Sequence, residues 1–233
     1  FGPAPDRFAA LDHALGAVAG ADLAIFAARA FTGAVAADGA TDLRAAAEPL
    51  GGPTLDAVKS AARKWNSTLG VPLIERAGRE AYESYVVVAP TGKVLAHVRR
   101  ATPDATSGWV KPGAPAGAAF KLGDVRCAVS IEPTPEAVQA ALGSSLRRLD
   151  LLIWPTVWTG DDDARRSAVA SLAAGSGLFV ANANWGRGEP AIRGQGGPIL
   201  SGPDGLPVPL IRYAGLTELA LPDFARTRRR SPG

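Results

Sequence analysis

An α/β sandwich, with helices covering mixed β-sheets, is the fold class this sequence predicts. Three observations point to it. Apolar runs of strand length alternate with Ala-rich runs of helix length along most of the chain. Some neighbouring runs are joined by tight turns such as Pro90-Thr91-Gly92-Lys93, which demands antiparallel pairs beside the crossovers. Apolar residues make up 47% of the 233, enough for one large core. No linker or internal repeat divides the sequence, so residues 1–233 are expected to form a single domain.

The elements follow in order. Residues 7–19 read as a helix with Phe8, Leu11, Leu15 and Val18 on one face. Residues 22–26 read as a short buried strand, and a Gly/Ala-rich segment follows at 32–40. A second helix is expected over 54–68, with Thr54 as its N-cap. Leu73 and Ile74 begin a strand after Pro72. Tyr85–Ala89 and Val94–Val98 form a hairpin pair. The Pro/Gly/Ala-rich stretch 102–119 reads as mostly loop. Val125–Ile131 is a strand, 134–143 a helix and Leu149–Trp154 a strand ended by Pro155. Residues 161–175 form a helix whose acidic start, Asp161-Asp162-Asp163, suits its positive end. Leu178–Ala183 is a strand and 185–198 a glycine-rich loop. Ile199–Leu200 and Val208–Ile211 flank the turn Pro203-Asp204-Gly205, and Leu216–Leu221 is the last strand.

Composition excludes several function classes. There are 25 basic and 22 acidic side chains, a net charge of +3, and the Arg228-Arg229-Arg230 run is too short to make a basic face, so no nucleic-acid partner is expected. No run of 18 apolar residues or leader pattern is visible, so the expectation is a cytoplasmic protein without a membrane partner. The chain starts at Phe1 and contains no Met, which reads as a processed or trimmed end. A lone cysteine, Cys127, excludes an internal disulfide framework, and two histidines, His13 and His97, are too few for a His-based metal site. The glycines of 186–197 lack the strand–glycine–helix context of a phosphate loop. No cofactor and no metal are expected.

A set of segments nevertheless resembles the carbon–nitrogen hydrolase family, the nitrilase superfamily. They are Ala21-Asp22-Leu23-Ala24-Ile25-Phe26, Tyr82-Glu83-Ser84-Tyr85 with Val86–Gly92 behind it, and Ala96-His97-Val98-Arg99-Arg100. Arg126–Glu136 with its Pro135-Glu136 end, Trp154-Pro155, Leu178–Gly186 and Gly196–Gly205 follow in the family's order. The resemblance spans nearly the whole chain. It implies a four-layer αββα sandwich of the nitrilase type, here lacking the usual first strand, and subunits that pair into a larger αββααββα unit.

The resemblance also implies a C–N bond-cleaving Glu–Lys–Cys triad, and this sequence departs from it at each position. Ala28 of Phe26-Ala27-Ala28 stands where the family has the general-base Glu. Arg100 of Val98-Arg99-Arg100 stands where it has Lys. Ser130 of Val129-Ser130-Ile131-Glu132 is the best match to the Cys, with one residue fewer than usual before Pro135, and Gly197 replaces a family Ser. A thiol ionises near about pH 8.5, whereas a serine hydroxyl needs an adjacent base. Ala28 offers none. Arg100 stays protonated and can stabilise an oxyanion but not shuttle a proton. Cys127 lies three residues before Ser130 on a strand and so faces the opposite way.

Each candidate has a plainer reading. Ser130 is either a nucleophile or a hydrogen-bonded structural serine. Arg100 either meets a ligand or pairs with Glu132 or Glu136. Glu83 is a further acid in the cleft or the cap of a turn, and Asp104 is solvated. Cys127 is a small buried hydrophobe. Trp154, Trp158 and Trp185 line the pocket or pack the core. The expectation is a pseudoenzyme that keeps the fold without the triad and acts by binding a small molecule or by oligomerising. Its partner is a second copy, in a homodimer or larger oligomer, or an active relative in a heteromer. The alternative is a repurposed enzyme acting on an amide or other C–N bond, with Ser130 and Arg100 in a non-standard site and Glu83 or Glu132 beside them.

Overall fold

The computed structural model describes residues 4–17, 20–32, 43–103, 108–114, 117–158, 160–185, 196–209, 211–213 and 216–218. Sheet 1 has the order β1 (Leu23–Ile25), β2 (Thr68–Ala77), β3 (Glu80–Val88), β4 (Val94–Arg99); β1 runs parallel to β2 and the other pairs are antiparallel. Sheet 2 has the order β5 (Ala118–Leu122), β6 (Val125–Val129), β7 (Leu151–Ile153), β8 (Phe179–Asn182), β9 (Ile199–Ser201). Its three central strands are parallel and its two outer pairs antiparallel.

Three apolar cores stack these sheets between helices. Leu11 and Leu15 of α1 (Ala4–Ala17) and Leu55, Val58 and Ala62 of α2 (Pro53–Trp65) pack on Leu69, Val71, Val86 and Val88 of sheet 1. Tyr85, Val87, Ala96 and Val98 from the other face of sheet 1 meet Cys127, Val129, Leu151 and Ile153 of sheet 2. Val138 and Leu142 of α3 (Pro135–Leu142) and Val169, Leu172 and Ala173 of α4 (Asp162–Ser176) cover Ala128, Leu152 and Val180. The alternation of side chains along β3 and β6 therefore feeds one core on each face. A small antiparallel hairpin, β10 (Ile211–Tyr213) and β11 (Leu216–Glu218), completes the described strands. No helix among the described residues is long and apolar enough to cross a membrane.

Several expected boundaries move, each for a local reason. The helix α2 starts with Gly52 as N-cap and Pro53 in its first turn, so Thr54 is not the cap; the Thr54 N–H donates instead to Glu48 Oε1 at 3.0 Å. It stops at Trp65 because Asn66 adopts a left-handed conformation, φ 50°, which frees Thr68 to begin β2. Pro72 lies inside that strand rather than before it. The chain beside β2 is β1 up to Gly70, then Glu48, which accepts from Arg76 N at 2.7 Å and donates to Ile74 O at 3.0 Å. Pro72 occupies the gap between the two, where its missing N–H leaves no ladder bond unmade. The stretch expected to be loop up to residue 119 gives way to β5, an outer strand that buries Phe120 and leaves Ala119 and Lys121 exposed. Residues 219–221 of the expected last strand, most of the segment 32–40 and residues 186–195 of the glycine-rich loop lie outside the described residues.

Candidate functional site

The candidate site lies at the ends of β1, β4, β6 and β8, where the two sheets face each other. Tyr85 fixes its first wall. The Tyr85 hydroxyl lies 2.7 Å from the carbonyl oxygens of Phe26 and Gly70 and accepts from Phe26 N at 3.2 Å. Gly70 makes room for it, since a β-carbon there would sit 3.1 Å from the hydroxyl. Complete burial pushes this phenol far above its usual range, so it remains a neutral structural group. Just past this anchor the chain turns, with Ala30 N donating to Ala27 O at 3.1 Å and Thr32 N to Arg29 O at 3.0 Å.

Arg29 sits in that turn with φ 61°, a left-handed backbone uncommon for a residue with a β-carbon. Its side chain is 2% exposed and reaches the carboxylate of Glu83 on β3. The same carboxylate lies against Arg100, with Arg100 Nε 2.9 Å from Glu83 Oε2. Two guanidiniums thus share one buried carboxylate on the inner face of sheet 1. Arg100 is also held by its backbone, which donates to Glu83 O at 2.8 Å and accepts from Gly113 N at 2.7 Å.

The segment that follows β6 is built differently. Ser130 follows β6 and is 1% exposed; its N–H donates to Ile153 O at 3.1 Å, and its Oγ accepts from Glu132 N at 3.4 Å. Glu132 spends both carboxylate oxygens on the loop after Arg100, accepting from Ala101 N at 2.8 Å and Thr102 N at 2.9 Å. Its carbonyl accepts from Trp154 Nε1 at 2.8 Å. Glu132 is therefore a brace between the ends of β6 and β4. Arg100 pairs with Glu83 rather than with Glu132 or Glu136, because Glu83 is its backbone neighbour across the β3–β4 pair and Glu132 is already engaged.

The space left between these groups is about 10 Å³, close to the minimum for one water. Ala28, Arg29, Glu83, Arg100 and Ile131 are among its walls, together with Pro72 to Ile74 of β2. Ser130 is not one of them. A second space, of about 30 Å³, is also lined by Arg29 and lies against Glu48 and Thr54.

The tryptophans divide. Trp154 is wholly buried in the core between sheet 2 and its helices. Trp158 packs at the edge of that core and donates from Nε1 to Asp161 O at 3.0 Å. Trp185 comes to the site, donating from Nε1 to Ala28 O at 3.1 Å, while its own carbonyl accepts from Gly197 N at 3.0 Å. Cys127 lies in the inter-sheet core, where burial pushes its thiol up to about 12, so it is chemically inert near neutral pH. Asp104 is outside the described residues. Among the described residues no group of three or more His, Cys, Asp or Glu could hold a metal ion.

Sequence reasoning missed Arg29. The one available signal was a lone charge directly after an apolar strand and two alanines, at a position next to the one read for its missing carboxylate. It also missed a polar cluster on the outer face of the same strands. Glu75 Oε2 accepts from Ser84 Oγ at 2.6 Å, His97 Nε2 lies 2.8 Å away and Arg99 Nε 3.1 Å away, with Arg99 stacked 4.0 Å over the Tyr82 ring. Burial raises the Glu75 carboxyl, but the hydrogen bonds from His97, Arg99 and Ser84 more than reverse that and hold it well below the usual carboxylate range. A carboxyl depressed in the folded state stabilises the fold fully above its unfolded value of about 4.3, and that contribution fades as pH falls below it. Urea unfolding between about pH 6 and pH 3 should show the stability gap between the parent and Glu75→Gln closing on the acid side. A gap that stays constant would mean Glu75 acts by packing alone.

No family model matches this chain, and no curated protein matches its sequence. Solved structures do match. A CN-hydrolase superfamily protein of Xanthomonas campestris, with an arsenic adduct in its active site, superposes with a TM-score of 0.78 at 15% identity, over 97% of this chain and 88% of that one. This chain has the nitrilase-type αββα fold. A cysteine-to-alanine variant of a nitrilase-superfamily amidase from Nesterenkonia gives a TM-score of 0.74 at 20% identity, again over 97% of this chain and 88% of that one. A double mutant of the same amidase in complex with acrylamide gives 0.76 at 20% identity, over 96% and 87%. At such identities the likeness concerns the fold. On this nitrilase-type scaffold the buried Arg29–Glu83–Arg100 cluster sits on the inner face of sheet 1.

Proposed function

We propose that this chain is a catalytically silent protein on the nitrilase-type scaffold, a pseudoenzyme that acts through a partner subunit or a bound small molecule. The observation that carries this reading is the buried Arg29–Glu83–Arg100 cluster, beside which there is a space of only about 10 Å³. An amide needs far more room than one water. The triad-equivalent positions support the same reading. Ala28 has no titratable group, Arg100 is engaged with Glu83, and Ser130 lies off the cavity wall with its Oγ accepting a backbone N–H. The small cavity favours the partner subunit over a ligand in this cleft.

The repurposed-enzyme reading requires a carboxylate free to act as base beside Ser130. Glu132 is the nearest in sequence, and both its oxygens are committed to Ala101 N and Thr102 N. Ammonia release from a panel of amides and nitriles, run beside Ser130→Ala, tests the proposal. The expected result is no turnover above the Ser130→Ala background. Turnover that disappears in the variant would overturn the silent reading and make Ser130 a nucleophile.

A further inference from the structure

The two spaces flanking Arg29 share more than proximity. Pro72, Leu73 and Ile74 wall both, and the Arg29 side chain is common to both. Arg29 and the stretch of β2 at the Pro72 gap thus belong to both spaces, which together are taken as one hollow. Glu83 and Arg100 line one compartment and Glu48 the other, so the hollow offers two carboxylates and one guanidinium besides Arg29 itself. That charge pattern suits a cation. The backbone points the same way: Arg29 holds φ 61° in a turn, a conformation that costs a residue with a β-carbon, while its side chain is buried against Glu83.

We infer that Arg29 is a built-in ligand, and that the hollow it fills is a seat for a guanidinium-type cation held by Glu83. The inference rests on the reading of the cleft as catalytically silent and names what fills it. Replacing Arg29 by Gly relieves the left-handed backbone, leaves Glu83 paired with Arg100, and joins the two compartments. The joined space then admits free guanidinium, a planar cation that matches a carboxylate through two parallel N–H bonds.

The experiment is a thermal-unfolding titration of Arg29→Gly with guanidinium chloride in the low-millimolar range, matched against sodium chloride. The expected result is a saturable rise in Tm of roughly 3–6 °C at ten times the half-saturating concentration. The parent, whose seat is full, should show none, and Arg29→Gly/Glu83→Gln should show none because the carboxylate is gone. No saturable rise in Arg29→Gly, or an equal rise in the parent, overturns the inference. Should Arg29→Gly not fold, the parent supplies the test through phenylglyoxal labelling and peptide mapping. Arg29 should label far more slowly than the exposed Arg147; labelling at the same rate would show that Arg29 does not fill the seat. Ammonia release by the parent would overturn the silent reading separately, since neither the titration nor the labelling measures turnover.

Discussion

Glu83→Gln should destabilise the protein by about 3–5 kcal/mol, the range for breaking a buried ion pair by removing one partner. Gln keeps the shape and one acceptor oxygen, so packing changes little. What changes is charge. Arg29 and Arg100 are 2% and 4% exposed, and both lose the carboxylate they share. For a chain of this size the loss corresponds to a fall in Tm of roughly 6–20 °C. Arg29→Gly/Glu83→Gln should recover part of the loss, because one of the two guanidiniums is gone and the left-handed turn is relaxed. Equilibrium unfolding of the three proteins measures both numbers. A cost under about 1 kcal/mol, in the range of exposed pairs, would mean the cluster is solvated and not a structural node.

Trp154→Ala should cost a similar amount, about 3–5 kcal/mol, for a different reason. The indole is wholly buried among the helices and strands of sheet 2, and its N–H satisfies the Glu132 carbonyl at 2.8 Å. Truncation opens a cavity in a close-packed layer and leaves that carbonyl without its donor. Trp154→Phe keeps most of the volume and should cost about 1 kcal/mol, the share of the hydrogen bond. If Trp154 instead lined an accessible pocket, water would fill the gap and the Ala variant would lose under about 2 kcal/mol. Denaturant midpoints for the two variants decide between a core and a pocket role.

The fold was largely legible because its signals are local. The apolar run Tyr85–Ala89, the Pro90–Lys93 turn and the acidic helix start Asp161-Asp162-Asp163 each act within a few residues, and each has its element in the structure. Pro72 misled for an instructive reason. A proline breaks a strand where both edges are paired, and the sequence does not reveal that β2 has a gap at that point. The site was legible only as a set of positions. Which acid meets Arg100 depends on the cross-strand register of β3 and β4, and Glu83 sits 17 residues away while Glu132 sits 32 away. Proximity in sequence and an acidic type could suggest either. Arg29 was invisible because its meaning lies in a left-handed turn and a hollow formed by other strands. The three tryptophans follow strand ends alike, and burial by α3 and α4 separates Trp154 from Trp185.

The order of the two sheets along the chain has a consequence for synthesis. Every strand of sheet 1 lies between residues 23 and 99, and every strand of sheet 2 between 118 and 201. During translation sheet 1 is therefore complete while its apolar inner face, Tyr85, Val87, Ala96 and Val98, has nothing to rest on. At about 5–20 residues per second, roughly 5–20 s pass before the covering strands emerge. Over that interval the nascent chain presents an adhesive sheet with Arg29, Glu83 and Arg100 at its rim. An uncovered apolar sheet face of this kind is prone to associate, so the arrival of sheet 2 is the step that protects sheet 1.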